Sequence, residues 1–229
     1  MIYLNELNDK QREAASRIEG PVLVIAGAGS GKTKTITTRI ANMIATGIDS
    51  QSILAVTFTN KAAKEMKERI HKTLSQGKNP VNSMPFVGTF HSFCVRFLRE
   101  ELKSNFVIYD SDDQLSLIKG AMKELEIDDK QFKPSSVQAA ISSAKNEMLS
   151  AEKFSQKAEG YFQETIAKVF KKYEDELEKA NSLDFDDLLS KTVTLLETKP
   201  EILEKYQERY KYITVDEYQD TNFAQYKII

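Results

Sequence analysis

The chain has 229 residues, 41% of them hydrophobic and 29% charged, with nine glycines and five prolines, a balance that excludes collagen-like, low-complexity and disulfide-scaffold proteins. Its one cysteine, Cys94, has no second thiol to bridge to, and no apolar run approaches the roughly 18 residues that span a bilayer, so the expectation is a soluble cytoplasmic protein. The net charge of −2 conceals an asymmetry: residues 1–103 carry 15 basic and 9 acidic side chains, residues 104–181 carry 11 and 15, and residues 182–229 carry 6 and 10. A basic excess confined to the first stretch is compatible with phosphate contacts from one face.

In chain order, residues 21–26 (PVLVIA) form a short apolar run before a glycine-rich turn, the pattern of a fully buried strand. Over 32–46 the apolar positions Ile36, Ile40, Met43 and Ile44 recur at helical spacing, and Gly47 offers a C-cap. Residues 53–58 predict a second strand, and Asn60 is placed to cap a helix with Ala62, Met66, Ile70 and Leu74 on one face. Residues 86–90 then lead into a helix over 91–102. Alternating strands and helices, with continuously apolar strands, predict an α/β fold: a parallel sheet covered on both faces.

From 104 to 181 the pattern becomes helical, apart from a short apolar run at 106–109. Ser111, Asp112, Asp113 and Gln114 suggest a capping box, Pro134 opens a helix, and residues 161–180 carry a stripe at Phe162, Ile166, Val169, Phe170, Tyr173 and Leu177. Tyr109, Tyr161, Phe162 and Tyr173 could stack on bases, but at helical spacing the core is the commoner use of such residues. We read this block as an insertion, because helices over 185–196 and 200–210 lead into a strand at 212–215. A last helix, over 222–229, ends on two isoleucines without a cap, so the expectation is part of a longer protein. The domain reading is 1–103, an insertion at 104–181, and 182–229.

Residues 26–33 (AGAGSGKT) fit the phosphate-loop pattern G-x-x-x-x-G-K-[ST] except that Ala26 stands at its first position. Gly27, Gly29 and Gly31, with Ala28 and Ser30 between them, let backbone N–H groups curl around phosphate oxygens at a helix N-terminus. Lys32 would reach the outer phosphates and Thr33 would bind Mg²⁺. Past the strand at 212–215, Asp216 would hold Mg²⁺ and Glu217 would act as general base on a water, which favours hydrolysis over transfer to another substrate.

Six segments taken together resemble the UvrD/Rep/PcrA-type superfamily 1 DNA helicases: the Gln11 region, AGAGSGKT, TFTNKAA at 57–63, GTFHS at 88–92, DFDDL at 184–188 and VDEYQDT at 215–221. They occur in that family's order, and the Ala26 departure is found there too. The resemblance implies a RecA-like motor domain interrupted by a helical domain, ATP as nucleotide, and 3′→5′ movement on single-stranded DNA or at a junction with duplex. Gln11 looks like the glutamine that reads the adenine edge, and Arg39 like a residue lining the adenine pocket, although a solvated helix arginine is a serious competitor. Phe58, Thr59, Asn60 and Lys61, and again Thr89, Phe90 and His91, resemble residues of the single-strand channel. A core role for Phe58 and a structural one for His91 stay open beside that reading.

The family's transition-state arginines and adenine-stacking aromatic lie in a second motor domain, so the 229 residues alone are expected to bind nucleotide weakly and hydrolyse it slowly. Asp184, Asp186 and Asp187 could suggest a metal cluster, but carboxylates at a helix start serve the helix dipole more often. Cys94, between Phe93 and Val95 on an apolar helix, reads as core.

Overall fold

The computed structural model describes residues 2–75 and 83–229, and the chain divides into two compact units, Met1–Phe93 with Leu203–Asp220 and Cys94–Ile202 with Thr221–Ile229. The sequence boundaries at 103 and 181 fall elsewhere, at the end of a helix and just before a strand.

The first unit is organised by strand β1 (Ile53–Thr57), every residue of which is buried. It pairs in parallel with β2 (Phe86–Thr89) on one side and β5 (Tyr212–Val215) on the other. Ile53 and Ala55 face a core built from α2 (Lys32–Ala45) and α3 (Asn60–Ser75), through Ile40, Met43, Met66, Ile70 and Leu74. Each such fully buried aliphatic side chain contributes about 1.5–3 kcal/mol. Phe86, Phe93, Tyr206 of α10 (Pro200–Arg209) and Tyr210 meet edge to face or tilted, Phe93 lying 5.9 Å from Phe86 and from Tyr210. α2 ends as expected at Gly47, whose φ of 100° lets its N–H and that of Ile48 bond back to Ile44 and Met43.

Residues 21–26 correct the sequence expectation. They form no ladder, and Leu23 and Ile25 are 72% and 90% exposed. A parallel strand owes its burial to hydrogen-bonded neighbours, and among the described residues β5 pairs with β1 alone while no strand pairs with 21–26. The apolar composition is a strand's, but its ladder partner is not among these elements.

In the second unit, α5 (Ser111–Glu124), α6 (Pro134–Asn146), α7 (Ala151–Lys157) and α8 (Gly160–Lys179) close over a core that includes Ile118, Phe132, Ile141, Ile166, Phe170 and Tyr173. The 106–109 run does form a strand, β3 (Val107–Tyr109), and it pairs in parallel with β4 (Ser182–Asp184), which leads into α9 (Phe185–Thr198). Asp110, not Ser111, caps α5, completing its box with Asp113. Tyr161 and Phe162 depart from the expected core: at the start of α8 they are 67% and 52% exposed, and Phe132 stacks beneath Phe162 at 5.5 Å. Cys94 is fully buried, and burial pushes its thiol up to about 12. No helix among the described residues is long and apolar enough to cross a membrane.

One ammonium organises this unit. Lys145, buried at the end of α6, lies 2.8 Å from Asp184 and 2.9 Å from Asp187, and pairs with Glu174 of α8. Tyr173 donates its hydroxyl to Asp184 at 2.7 Å, and Gln114 donates its amide to the same oxygen. Asp184 caps α9 in a reciprocal box with Asp187, as the helix-start reading of these carboxylates anticipates. The next residue, Asn146, donates to Asp186 and accepts from Asn222, the cap of α11 (Phe223–Ile228). Burial works against the charge on Lys145, but its three carboxylates outweigh it and raise its pKa. Burial pushes Asp187 up to about 6; Lys145 and Lys191 oppose that rise, and Asp184 and Glu174 add to it.

Removing one partner of such a buried cluster strands the others. Lys145→Ala is expected to cost about 3–5 kcal/mol in urea unfolding. Asp187 predicts a pH signature of known sign. A folded-state pKa raised from 3.8 to about 6 means a contribution present below the lower value and lost as pH rises through the upper one. Relative to Asp187→Asn, the natural chain should therefore lose stability across that window, read from urea midpoints at each pH.

Candidate active site

The loop leading into α2 is held in shape by two left-handed glycines, Gly29 at φ 73° and Gly31 at φ 85°, the latter capping the helix without a side chain. Ser30 folds back on Gly27, its hydroxyl donating to the Gly27 carbonyl at 2.7 Å. A Cβ added at Gly27 or Gly29 would meet nothing within 4 Å, so the loop is bordered by open space at both positions. Gly27, Ala28, Gly29 and Ser30 are exposed; Ala26, Gly31, Lys32 and Thr33 are half-buried. The first N–H groups of α2 and the positive end of its dipole follow directly on this loop.

Gln11 braces the loop directly, and Arg39 braces the helix that carries Gln11. Gln11, in a capping box with Asn8 at the start of α1 (Asp9–Ser16), donates its amide to the Ser30 carbonyl at 2.8 Å. Arg39 donates to the carbonyls of Ala14 and Ile18 at 3.1 and 3.0 Å. Since α1 has no glycine after it to close its C-terminal carbonyls, this guanidinium fills that role. Burial lowers the Arg39 pKa.

The acidic pair arrives from the far end of the sequence. The Asp216 N–H bonds the Val56 carbonyl at 3.0 Å, extending the β5–β1 ladder one step past β5. Glu217 then turns sharply, with φ at 55°, and Asp220 N–H closes the turn on its carbonyl at 3.0 Å. That turn brings its carboxylate to Lys32, whose ammonium lies 3.2 Å from both oxygens. Gln219 donates to Oε2 of the same carboxylate. The two acids are pushed apart: burial, then Glu217, raises Asp216 against Lys32, while the bonds from Gln219 and then Lys32 lower Glu217.

The strand-end residues sort into two kinds. Thr59, Asn60 and Lys61 are exposed, and Thr59 rather than Asn60 caps α3, accepting the Ala62 N–H at 3.1 Å. Phe58 is half-buried with its ring 5.6 Å from that of Phe90. Phe90 is only 1% exposed, so it backs Phe58 instead of offering a face of its own. Thr89 is buried and caps α4 (Phe90–Leu102) through the Ser92 N–H at 3.1 Å, while His91 is half-buried. Sequence reasoning missed Gln219; its position two residues after Glu217 in the DEYQD run was the available signal.

A parallel sheet whose loop-and-helix unit faces an Asp-Glu pair from β5 is the framework of a phosphate-loop α/β domain. Residues 7–229 match the model of the UvrD/REP helicase N-terminal domain, and the chain belongs to that family. It is 48% identical to a Bacillus subtilis (strain 168) protein named ATP-dependent DNA helicase PcrA, across 99% of this chain and 31% of that protein. Proteins of the same name from Leuconostoc citreum and Staphylococcus aureus (strain COL) are each 44% identical across 98% and 99% of this chain. The chain spans 30–31% of the length of these relatives.

Gly31 allows a direct check of the loop geometry. A Cβ there would fall 2.7 Å from the Gln11 amide nitrogen, in a backbone conformation that disfavours side chains. Gly31→Ala is expected to cost roughly 1–2 kcal/mol in urea unfolding and to weaken protection of the α1 amides in hydrogen exchange.

Proposed function

We propose that this chain is the ATP-binding part of a motor that hydrolyses ATP to move 3′→5′ on single-stranded DNA, as a DNA helicase or translocase does. The observation that carries the reading is the Lys32–Glu217 pairing, which joins the loop to the acidic turn across 185 residues of sequence. Gly27, Ala28, Gly29, Ser30 and Gly31 cradle the phosphates, and Lys32 neutralises their outer oxygens. Glu217, kept ionised by its neighbours, takes a proton from the attacking water.

Thr33 and Asp216 fit a Mg²⁺ ion. The Asp216 carboxyl is buried beside a second carboxylate, which raises its pKa, and a divalent cation there would relieve that repulsion and neutralise phosphate charge. Gln11, which lies against the loop, would read the adenine edge, with Arg39 setting the position of α1 through its carbonyl bonds. On the DNA side, Phe58 stacks on a base, worth about 1–3 kcal/mol, with Phe90 as its support. Thr59, Asn60 and Lys61 at the start of α3 contact a phosphate, and Thr89 and His91 hold the neighbouring turn. In the whole protein a second motor domain completes the cleft.

The test is binding of a fluorescent ATP analogue with Mg²⁺, followed by single-turnover phosphate release, each with and without single-stranded DNA. Weak binding and slow release by the natural chain, with release at least about 100-fold slower still in Lys32→Ala, are the expected results, in line with an electrostatic clamp on the phosphates. Binding without any release, in a folded chain, would favour a nucleotide- or DNA-binding role over catalysis.

A further inference from the structure

Part of the basic excess in residues 1–103 is already engaged. Lys10, Arg12, Lys32 and Lys34 each lie within 4 Å of a carboxylate, and Arg39 is bonded to the carbonyls at the end of α1. Five more of those 15 basic side chains stand on α3 alone: Lys61, Lys64, Lys67, Arg69 and Lys72. All five are exposed, and among the described residues none has a carboxylate within 4 Å. Glu65 and Glu68 follow Lys61 and Lys64 by one turn, the spacing at which such pairs close, yet neither pair does.

The buried stripe of α3, Ala63, Met66, Ile70 and Leu74, fixes where these cations point. At about 100° per residue, Lys64 and Lys67 share one flank of that stripe and Arg69 takes the other. Lys61, Lys72 and both acids face outward between the flanks, so the Lys64–Lys67 flank carries positive charge alone. Lys61, Lys64 and Lys67 are successive i,i+3 neighbours, and from first to last they rise about 9 Å along the helix. The row starts beside Thr59 and Asn60, where the strand-end phosphate contact is proposed.

We propose that Lys64 and Lys67 extend the DNA site along α3, each neutralising a phosphate beyond the one that Thr59, Asn60 and Lys61 hold. The ligand is the backbone of a single strand, because a base stacked on Phe58 is already unpaired and its own strand continues past it. Lysines on phosphates fix register and add affinity without reading sequence. This inference rests on the strand-end reading of Phe58 to Lys61.

The experiment is binding of the 229-residue chain to fluorescein-labelled oligo-dT of about 16 nucleotides, the upper end of single-strand site sizes, followed by anisotropy across a salt series. Lys64→Ala/Lys67→Ala is compared with Arg69→Ala/Lys72→Ala, which removes the same charge from the rest of the helix. All four side chains are exposed and alanine is the better helix former, so α3 is expected to stay folded, checked by urea midpoints. Each phosphate contact to a single strand adds about 0.7 to the slope of log affinity against log salt. The Lys64/Lys67 pair should therefore lower that slope by about 1.4 and weaken binding roughly 10–100-fold at about 50 mM salt. The control pair should lower it by less than half as much. Phe58→Ala should weaken binding with the slope unchanged, because a stacked ring releases no counterion.

A slope in Lys64→Ala/Lys67→Ala equal to that of the natural chain overturns the inference. So does an equal fall in the control pair, which is the result of general charge attraction without a row. Unchanged affinity in Phe58→Ala overturns the strand-end reading instead, whatever the slopes give.

Discussion

Parallel pairing of β1 with both β2 and β5 is the constraint on which the first unit depends. Thr57 lies opposite Thr89, and Val56 opposite both Gly88 and Val215, so three strands finish within a residue of one another. Parallel strands all point the same way, and whatever follows them emerges on one edge. That single fact gathers Phe58 and the α3 start, Thr89 and the α4 start, and Asp216 with Glu217, though they lie far apart in sequence. The glycine-rich loop reaches the same edge without a ladder of its own, held by Gln11 at the Ser30 carbonyl and by Lys32 at Glu217.

The second unit is tied by charge where the first is tied by register. Lys145 gathers carboxylates from α8, β4 and the first turn of α9, and Asn146 carries the connection on to α11. Buried ion clusters are poor sources of net stability compared with apolar packing of equal volume, because each charge must first leave water. What such a cluster does provide is geometry: an ammonium facing three carboxylates tolerates little rotation of the helices that bear them. The cap of α9 is part of the cluster, so the same Asp184 that starts the helix also fixes its depth against α6.

Much of this was legible in the sequence. The stripe along α8 from Ile166 to Leu177 is the core face of that helix, and the strands at β1 and β5 lie where apolar runs placed them. Six short segments in order were enough to identify the family. What could not be read required partners distant in sequence. Residues 21–26 have a strand's composition, but composition does not reveal whether a ladder partner is present. Tyr161 and Phe162 have a core residue's spacing, yet they sit where α8 begins and its packing surface has not started. Lys145 looks like any solvated helix lysine until Asp184 and Asp187 are placed beside it. The caps at Thr59 and Asp110 fell one residue before the expected ones because Asn60 and Ser111 are themselves cap formers, and local composition cannot separate adjacent candidates.

Cys94 has a consequence of a different kind. It is the only thiol in the chain, it is fully buried on α4, and its high pKa leaves almost no thiolate at neutral pH. A thiol-specific reagent in water therefore reacts with it only during moments when α4 lifts away from its surroundings. The chain thus carries its own clock. At high reagent concentration the rate of labelling becomes the rate of that opening, and at low concentration it reports the fraction of time spent open. One sulfur atom gives the local dynamics of a single helix without any probe being introduced.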